Sequence, residues 1–205
     1  MDVAIVGLGC RFPQAPDPVS YWDLIRAGTV TFRQIPASRW NHARIFLDDS
    51  LRTPDKAYIG RGGGWVGIHS AADTEYDWPF YGGLLGAYFK QHPAVQPAAI
   101  DVTDRAHPST RHLPARWTRT DEWYDFRSNP RGSVHVLATL DESTYSGGTM
   151  GADHPIAWCH PFRGGRAWYT AGGHTVESYS EPDFRRHVLG GILWAAGLAK
   201  GGCPI

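Results

Sequence analysis

The stretch GGGWVGIHSAAD, residues 62–73, decides how this chain is read. Its three glycines permit positive φ and close backbone approach ahead of a short apolar run. An apolar run of that length, bounded by breakers, suits a strand covered on both faces. The exit presents His69, Ser70 and Asp73 just past the strand's carboxyl end, the place where open α/β sheets bind ligands. A satisfied polar turn is the plainer reading of the same residues.

Working outward, the same pattern of strand, glycine turn and histidine returns at Gly172-Gly173-His174. Strands are expected at residues 65–68, 99–102, 133–140, 155–162 and 166–170, the last two joined by a hairpin turn at Arg163-Gly164-Gly165. Residues 78–89 read as a helix with Pro79 in its first turn, and residues 182–197 as a second helix that opens on Pro182. Residues 117–126 read as extended, with the adjacent acids Asp121 and Glu122 set oddly inside an aromatic run. Residues 145–151 form a glycine-rich loop that lacks the Gly-Lys-Ser/Thr of a phosphate loop. Two histidines that each follow a glycine-bounded strand should meet in one crevice, with Asp73, Glu122 or Glu177 orienting one imidazole.

With 205 residues, the chain is long enough for one substantial domain, or one domain plus an appendage. Twenty basic and twenty acidic residues cancel, which removes any electrostatic case for nucleic acid or an anionic membrane. No basic leader and no long apolar stretch is present, so neither a signal peptide nor a membrane span is expected. Cys10, Cys159 and Cys203 make neither a disulfide framework nor a zinc pattern, and reduced thiols in a cytoplasm are expected. Nine tryptophans are expected mostly to fill the core, with sugar stacking as the alternative.

From residue 57 to about 199 the chain resembles the trehalose-utilisation (ThuA-like) family. The residues that carry the likeness are the opening stretch, DTEYDW at 73–78, YGGLLG at 81–86, DEWY at 121–124, GGTMGADHP at 147–155, GRAWY at 165–169 and GGH at 172–174. The resemblance implies an α/β, flavodoxin-like fold of the class I glutamine-amidotransferase type. Its sheet is expected to be mostly parallel and incomplete at its N-terminal side. Amidotransferases of that fold place a cysteine on the strand-to-helix elbow, whereas this elbow carries His69. Glutamine hydrolysis is therefore not expected. The implied function is metabolism or binding of a carbohydrate derivative such as trehalose or a keto-sugar. Its catalytic site would comprise His69, His174, Glu122 and Asp121, with Ser70, Asp73, Trp123, Tyr124, Thr149 and Glu177 binding substrate. No cofactor is expected. A divalent metal on the histidines and a carboxylate is the weaker alternative, because no His-x-x-x-His or Cys-x-x-Cys spacing is present.

Residues 1 to about 62 resemble the start of a modular polyketide β-ketoacyl synthase, through AIVGLGCRFP at 4–13, YWDL at 21–24 and GRGG at 60–63. Residues 1–56 are expected to be a poorly structured appendage, with a strand at 3–6 and a short helix at 21–27, separate from a ThuA-like domain at residues 57–205. That family's catalytic cysteine and histidines lie well downstream of the matched opening, so ketosynthase activity is not expected, and Cys10 belongs to a structural turn. Gly7 and Gly9 do not complete a dinucleotide fingerprint, since Phe12 and Pro13 follow. The expected partner is a small-molecule carbohydrate, not nucleic acid or membrane, and a homodimer is allowed. A non-catalytic fusion remnant or binding module, and an accessory protein of polyketide synthesis, remain open beside the enzyme.

Overall fold

The computed structural model describes residues 63–204. The strand expected at residues 3–6, the helix expected at 21–27 and the whole segment 1–56, Cys10 included, lie outside the described residues.

The described residues form eight strands: β1 (Gly64–Ile68), β2 (Phe89–Gln91), β3 (Gln96–Val102), β4 (Arg116–Asp121), β5 (Asp125–Phe126), β6 (His135–Asp141), β7 (Pro155–Phe162) and β8 (Gly165–Thr170). Two α-helices, α1 (Pro79–Leu85) and α2 (Pro182–Ala195), accompany them. Six strands form one sheet in the order β1-β8-β7-β6-β3-β4, and β2 with β5 makes a separate ribbon.

Only β1 and β8 pair in parallel; the other four pairings of the large sheet are antiparallel. Among the described residues the sheet is thus mixed, not mostly parallel. One of the antiparallel pairs follows directly from its short connection. A parallel neighbour needs a crossover of a dozen or more residues, whereas antiparallel neighbours can follow one another through a turn. Arg163 and Gly164, at φ 47° and 82°, make such a turn between β7 and β8. Central β7 is buried along six consecutive residues, while edge strand β4 alternates exposed and buried. That is the difference between a strand covered on both faces and one covered on a single face.

Helix α1 stops at Leu85, short of the expected residue 89. Buried side chains of β7 capture its last carbonyls: His160 Nε2 donates to Leu84 at 2.8 Å, and Trp158 Nε1 to Leu85 at 2.7 Å. These bonds satisfy carbonyls that a longer helix would have used. Residues 89–91 then pair with β5. The extended run expected at 117–126 breaks after Asp121, whose side chain turns back to accept the Glu122 amide at 3.0 Å.

Helix α2 lies on β8 through Gly191 and on the Pro108–Ser109 loop through Gly190. A Cβ on Gly191 would fall 2.4 Å from Trp168 Cδ2, and one on Gly190 2.3 Å from the Pro108 carbonyl oxygen. Each glycine costs a helix interior about 1 kcal/mol, which the close approach to buried Trp168 offsets. The core is aromatic: Trp123, Trp158, Trp168, Tyr169 and Phe126 are all fully buried. Filling the core is thus the role of most of the described tryptophans.

Cys159 and Cys203 form a disulfide across a sequence separation of 44, correcting the expectation of reduced thiols. The chain after α2 returns beside β7, a proximity that spacing alone does not reveal. Among the described residues, no helix is long and apolar enough to cross a membrane.

Candidate functional site

Strands β1 and β8 run side by side in parallel, with Ile68 opposite Thr170. Their carboxyl ends therefore deliver His69 and the segment 171–174 to the same place. His69 opens a 3-10 turn, His69–Ala72, at φ 47°. The left-handed region costs a side-chain-bearing residue about 1–2 kcal/mol, so the conformation persists only because its surroundings hold it. Nucleophile elbows of α/β enzymes use a similar strained strand exit, and here that exit carries an imidazole.

The surroundings are specific. His69 Nδ1 donates to the Ala171 carbonyl at 2.8 Å, and the Tyr169 hydroxyl donates to the His69 carbonyl at 2.8 Å. The Tyr124 ring packs against the imidazole at 4.1 Å between centroids. A carbonyl only accepts, so Nδ1 holds the proton and Nε2 presents a lone pair to the cleft. Burial lowers the His69 pKa below its ordinary value of 6.5, against the opposing pull of the Ala171 carbonyl and the Glu122 charge.

That lone pair faces two further groups. His174 Nδ1 lies 3.1 Å from His69 Nε2, with the ring centroids 5.0 Å apart. Glu122 Oε2 lies 3.2 Å from each of these nitrogens. The other carboxylate oxygen, Oε1, is 3.2 Å from His92 Nδ1, which also donates to the Pro93 carbonyl at 2.9 Å. The cluster forms part of the lining of an open cleft of about 490 Å³, shared with Ile68, Ser70, Tyr124, Gly173 and Tyr179.

Asp121 does something different from its neighbour Glu122. Its carboxylate is fully buried and accepts the backbone amides of Gly173 at 2.7 Å and His174 at 3.0 Å. Buried Arg119 and the Ser178 hydroxyl also bond it, and Arg119 reaches on to Glu181. Burial would raise the Asp121 pKa, but the Arg119 charge and the amide bonds hold it below 3.8. Asp121 thus fixes the loop that carries His174.

The other sequence candidates divide. Ser70 and Tyr124 line the cleft. Trp123 is buried in the core and donates its indole N–H to the Gln96 carbonyl. Asp73 is exposed, does not line the cleft, and accepts from the Tyr76 hydroxyl. Glu177 begins the 3-10 turn Glu177–Ser180 and does not line the cleft. Thr149 donates to Asp125 Oδ2 at 2.6 Å, in a separate cluster.

That separate cluster comprises Asp125, Glu142 and His154, which along with His69, Glu122 and His174 has the proximity to hold a metal ion. Its bonding is already structural. His154 Nε2 donates to the Tyr124 carbonyl, Nδ1 meets Glu142 Oε1 at 2.8 Å, and Glu142 accepts the amides of Met150 and Gly151. These bonds stitch the glycine-rich loop onto the sheet.

Sequence reasoning missed His92, Tyr179 and Arg119. His92 carries no glycine turn or strand signal, and only the packing of the β2–β3 connection brings it to Glu122.

A family model described as trehalose utilisation matches residues 37–195. The chain belongs to the trehalose-utilisation family. The motif resemblance and the α/β fold agree with solved relatives. A ThuA-like protein of Bacteroides uniformis is 29% identical with a TM-score of 0.56, over 65% of this chain and 58% of that one. A ThuA-like protein of Parabacteroides merdae shares the fold at 22% identity and a TM-score of 0.55, over 66% of this chain and 61% of that one. This ThuA chain also carries a second likeness. It is 39% identical over 75 residues, 36% of its length, to a phenolphthiocerol/phthiocerol polyketide synthase of Mycobacterium tuberculosis. It is 36% identical over 59 residues, 28% of its length, to a conidial yellow pigment polyketide synthase of Penicillium expansum. The chain spans 5% and 3% of those two proteins.

Proposed function

We propose that this ThuA domain binds a carbohydrate derivative, trehalose or a keto-sugar, in the cleft above His69, Glu122 and His174, and acts on it there. One observation carries the reading: two imidazoles and a carboxylate from three separate motifs meet within 3.2 Å at the wall of an open cleft. The half-exposed Tyr179 ring offers an apolar face for a sugar, and Ser70, Glu122 and His92 offer hydrogen-bonding groups for hydroxyls. His69 Nε2 presents a lone pair and Glu122 a carboxylate oxygen at the cleft wall, the groups that a polar substrate atom would meet there. In this reading Asp121 is a positioning residue rather than a catalytic one, and Trp123, Thr149, Asp73 and Glu177 serve the scaffold.

The segment at residues 1–56 contributes no ketosynthase chemistry in this reading, since the matched opening motif holds none of that family's catalytic residues. The Cys159–Cys203 bond favours an oxidising setting over the reducing cytoplasm expected from the sequence.

The test is a thermal-shift and calorimetric titration of the whole chain with trehalose, glucose and their keto derivatives. A shift that is saturable for one sugar class and lost in Glu122→Gln and His174→Ala supports the proposal. Identical shifts in the wild type and both variants, or none with any sugar, overturn it.

A further inference from the structure

We infer that His69 Nε2, His174 Nδ1 and Glu122 Oε2 form a binding site for one divalent transition-metal ion of the zinc type, with an open coordination position facing the cleft; this deepens the carbohydrate reading and uses the same site.

The three atoms make a nearly equilateral triangle of 3.1, 3.2 and 3.2 Å. Tetrahedral zinc with bonds of about 2.0–2.1 Å sets its ligand atoms about 3.3 Å apart, so one ion fits above this triangle with little movement. The tautomer of His69 is fixed for the purpose, because Nδ1–H is committed to the Ala171 carbonyl and only Nε2 remains to ligate. Donation of the second ring nitrogen to a backbone carbonyl is how metal-bound histidines are oriented.

A proton on His174 Nδ1 is the competing way to satisfy the cluster. It would be shared between His69 Nε2 and Glu122 Oε2 at 3.1 and 3.2 Å, both longer than the about 2.7–2.9 Å of a strong charge-assisted bond. The contrasting cluster behaves otherwise: His154 and Glu142 approach to 2.8 Å, and both Glu142 oxygens already accept backbone amides. There a hydrogen bond accounts for the geometry; around His69 a common centre does.

Two imidazoles and one carboxylate suit zinc, iron(II) or cobalt(II) better than magnesium or calcium, which take all-oxygen shells. Three protein ligands instead of four mark an open site, and the open cleft lies beside them. A sugar hydroxyl or carbonyl oxygen is the chemical group that would take the fourth position.

The experiment uses the full chain, stripped with a chelator and dialysed. It is titrated with zinc by calorimetry and with cobalt(II) by visible absorption, in the absence of sugar. One equivalent with a tetrahedral cobalt spectrum is expected. Affinity should fall more than about 100-fold in Glu122→Gln and His174→Ala, since even residues that only orient ligands cost 10–100-fold. Near-UV circular dichroism checks that each variant is folded; His174→Ala, at a half-exposed side chain, tests the site if Glu122→Gln does not fold. Binding below one equivalent, an octahedral spectrum, or binding unchanged in a folded variant overturns the metal site. Sugar titrations with and without chelator separate the two proposals. Sugar binding indifferent to metal, with no stoichiometric zinc, sinks this one alone. Stoichiometric zinc without sugar binding supports it and sinks the carbohydrate reading.

Discussion

Asp121 Oδ1 accepts the backbone N–H of His174 at 3.0 Å, tying together residues 53 positions apart. The same carboxylate also bonds buried Arg119, so the loop that carries His174 is anchored to an ion pair shielded from water. The geometry of the cleft therefore depends on a side chain that does not line it.

Asp121→Asn keeps the shape but removes the charge, leaving Arg119 with exposed-side Glu181 as its remaining acid. Breaking a buried pair from one side costs about 3–5 kcal/mol. A loss of about 3 kcal/mol in urea denaturation is expected, since Glu181 retains part of the compensation. A loss below about 1 kcal/mol would show that Arg119 is paired well enough without Asp121.

Acid sensitivity should come from two buried histidines. His187 Nδ1 donates to the Ser109 carbonyl at 2.8 Å, and burial lowers its pKa to about 3. Burial likewise lowers His107 to about 4. Below the unfolded value of about 6.5, the unfolded chain binds protons that the folded chain does not. Stability is therefore full above about pH 6.5 and falls as pH drops towards about 4, by about 1.4 kcal/mol per pH unit for each group. His187→Asn retains an N–H donor without titrating. Its stability between about pH 4 and 6 should fall about 1.4 kcal/mol per unit less steeply than the wild type, and parallel curves would refute the assignment.

The φ of 47° at His69 predicts an unusual order of stabilities. His69→Gly should be more stable than His69→Ala by about 1 kcal/mol, because glycine enters the left-handed region without a Cβ clash. Equal stabilities, or alanine above glycine, would mean that the elbow relaxes once the imidazole is gone.

Closing a 44-residue separation, the Cys159–Cys203 bond should stabilise the domain by up to about 4 kcal/mol through loss of unfolded-state freedom. Cys203→Ser should lower the denaturation midpoint accordingly. Under non-reducing conditions, peptide mapping should recover residues 159 and 203 in one linked species and Cys10 outside it. Free thiols at both positions in native protein would remove the bond.

The sequence by itself determined which segments become the strands of the six-stranded sheet, the β7–β8 hairpin, and the two strand exits at His69 and His174. Each of these is a local matter of glycine, proline and side-chain period, acting over a few residues. Its motifs also carried the ThuA family, and Glu122 stood out as an acid inside an aromatic run. Only the tertiary structure separated Glu122 from Asp121: adjacent residues face opposite ways across the break after β4, so one reaches the cleft and the other the buried Arg119. It also decided the mixed strand directions, the end of α1 under Trp158 and His160, the arrival of His92, and the pairing of Cys159 with Cys203. These depend on contacts between residues tens of positions apart, and no local periodicity encodes which distant side chain will fill a given space.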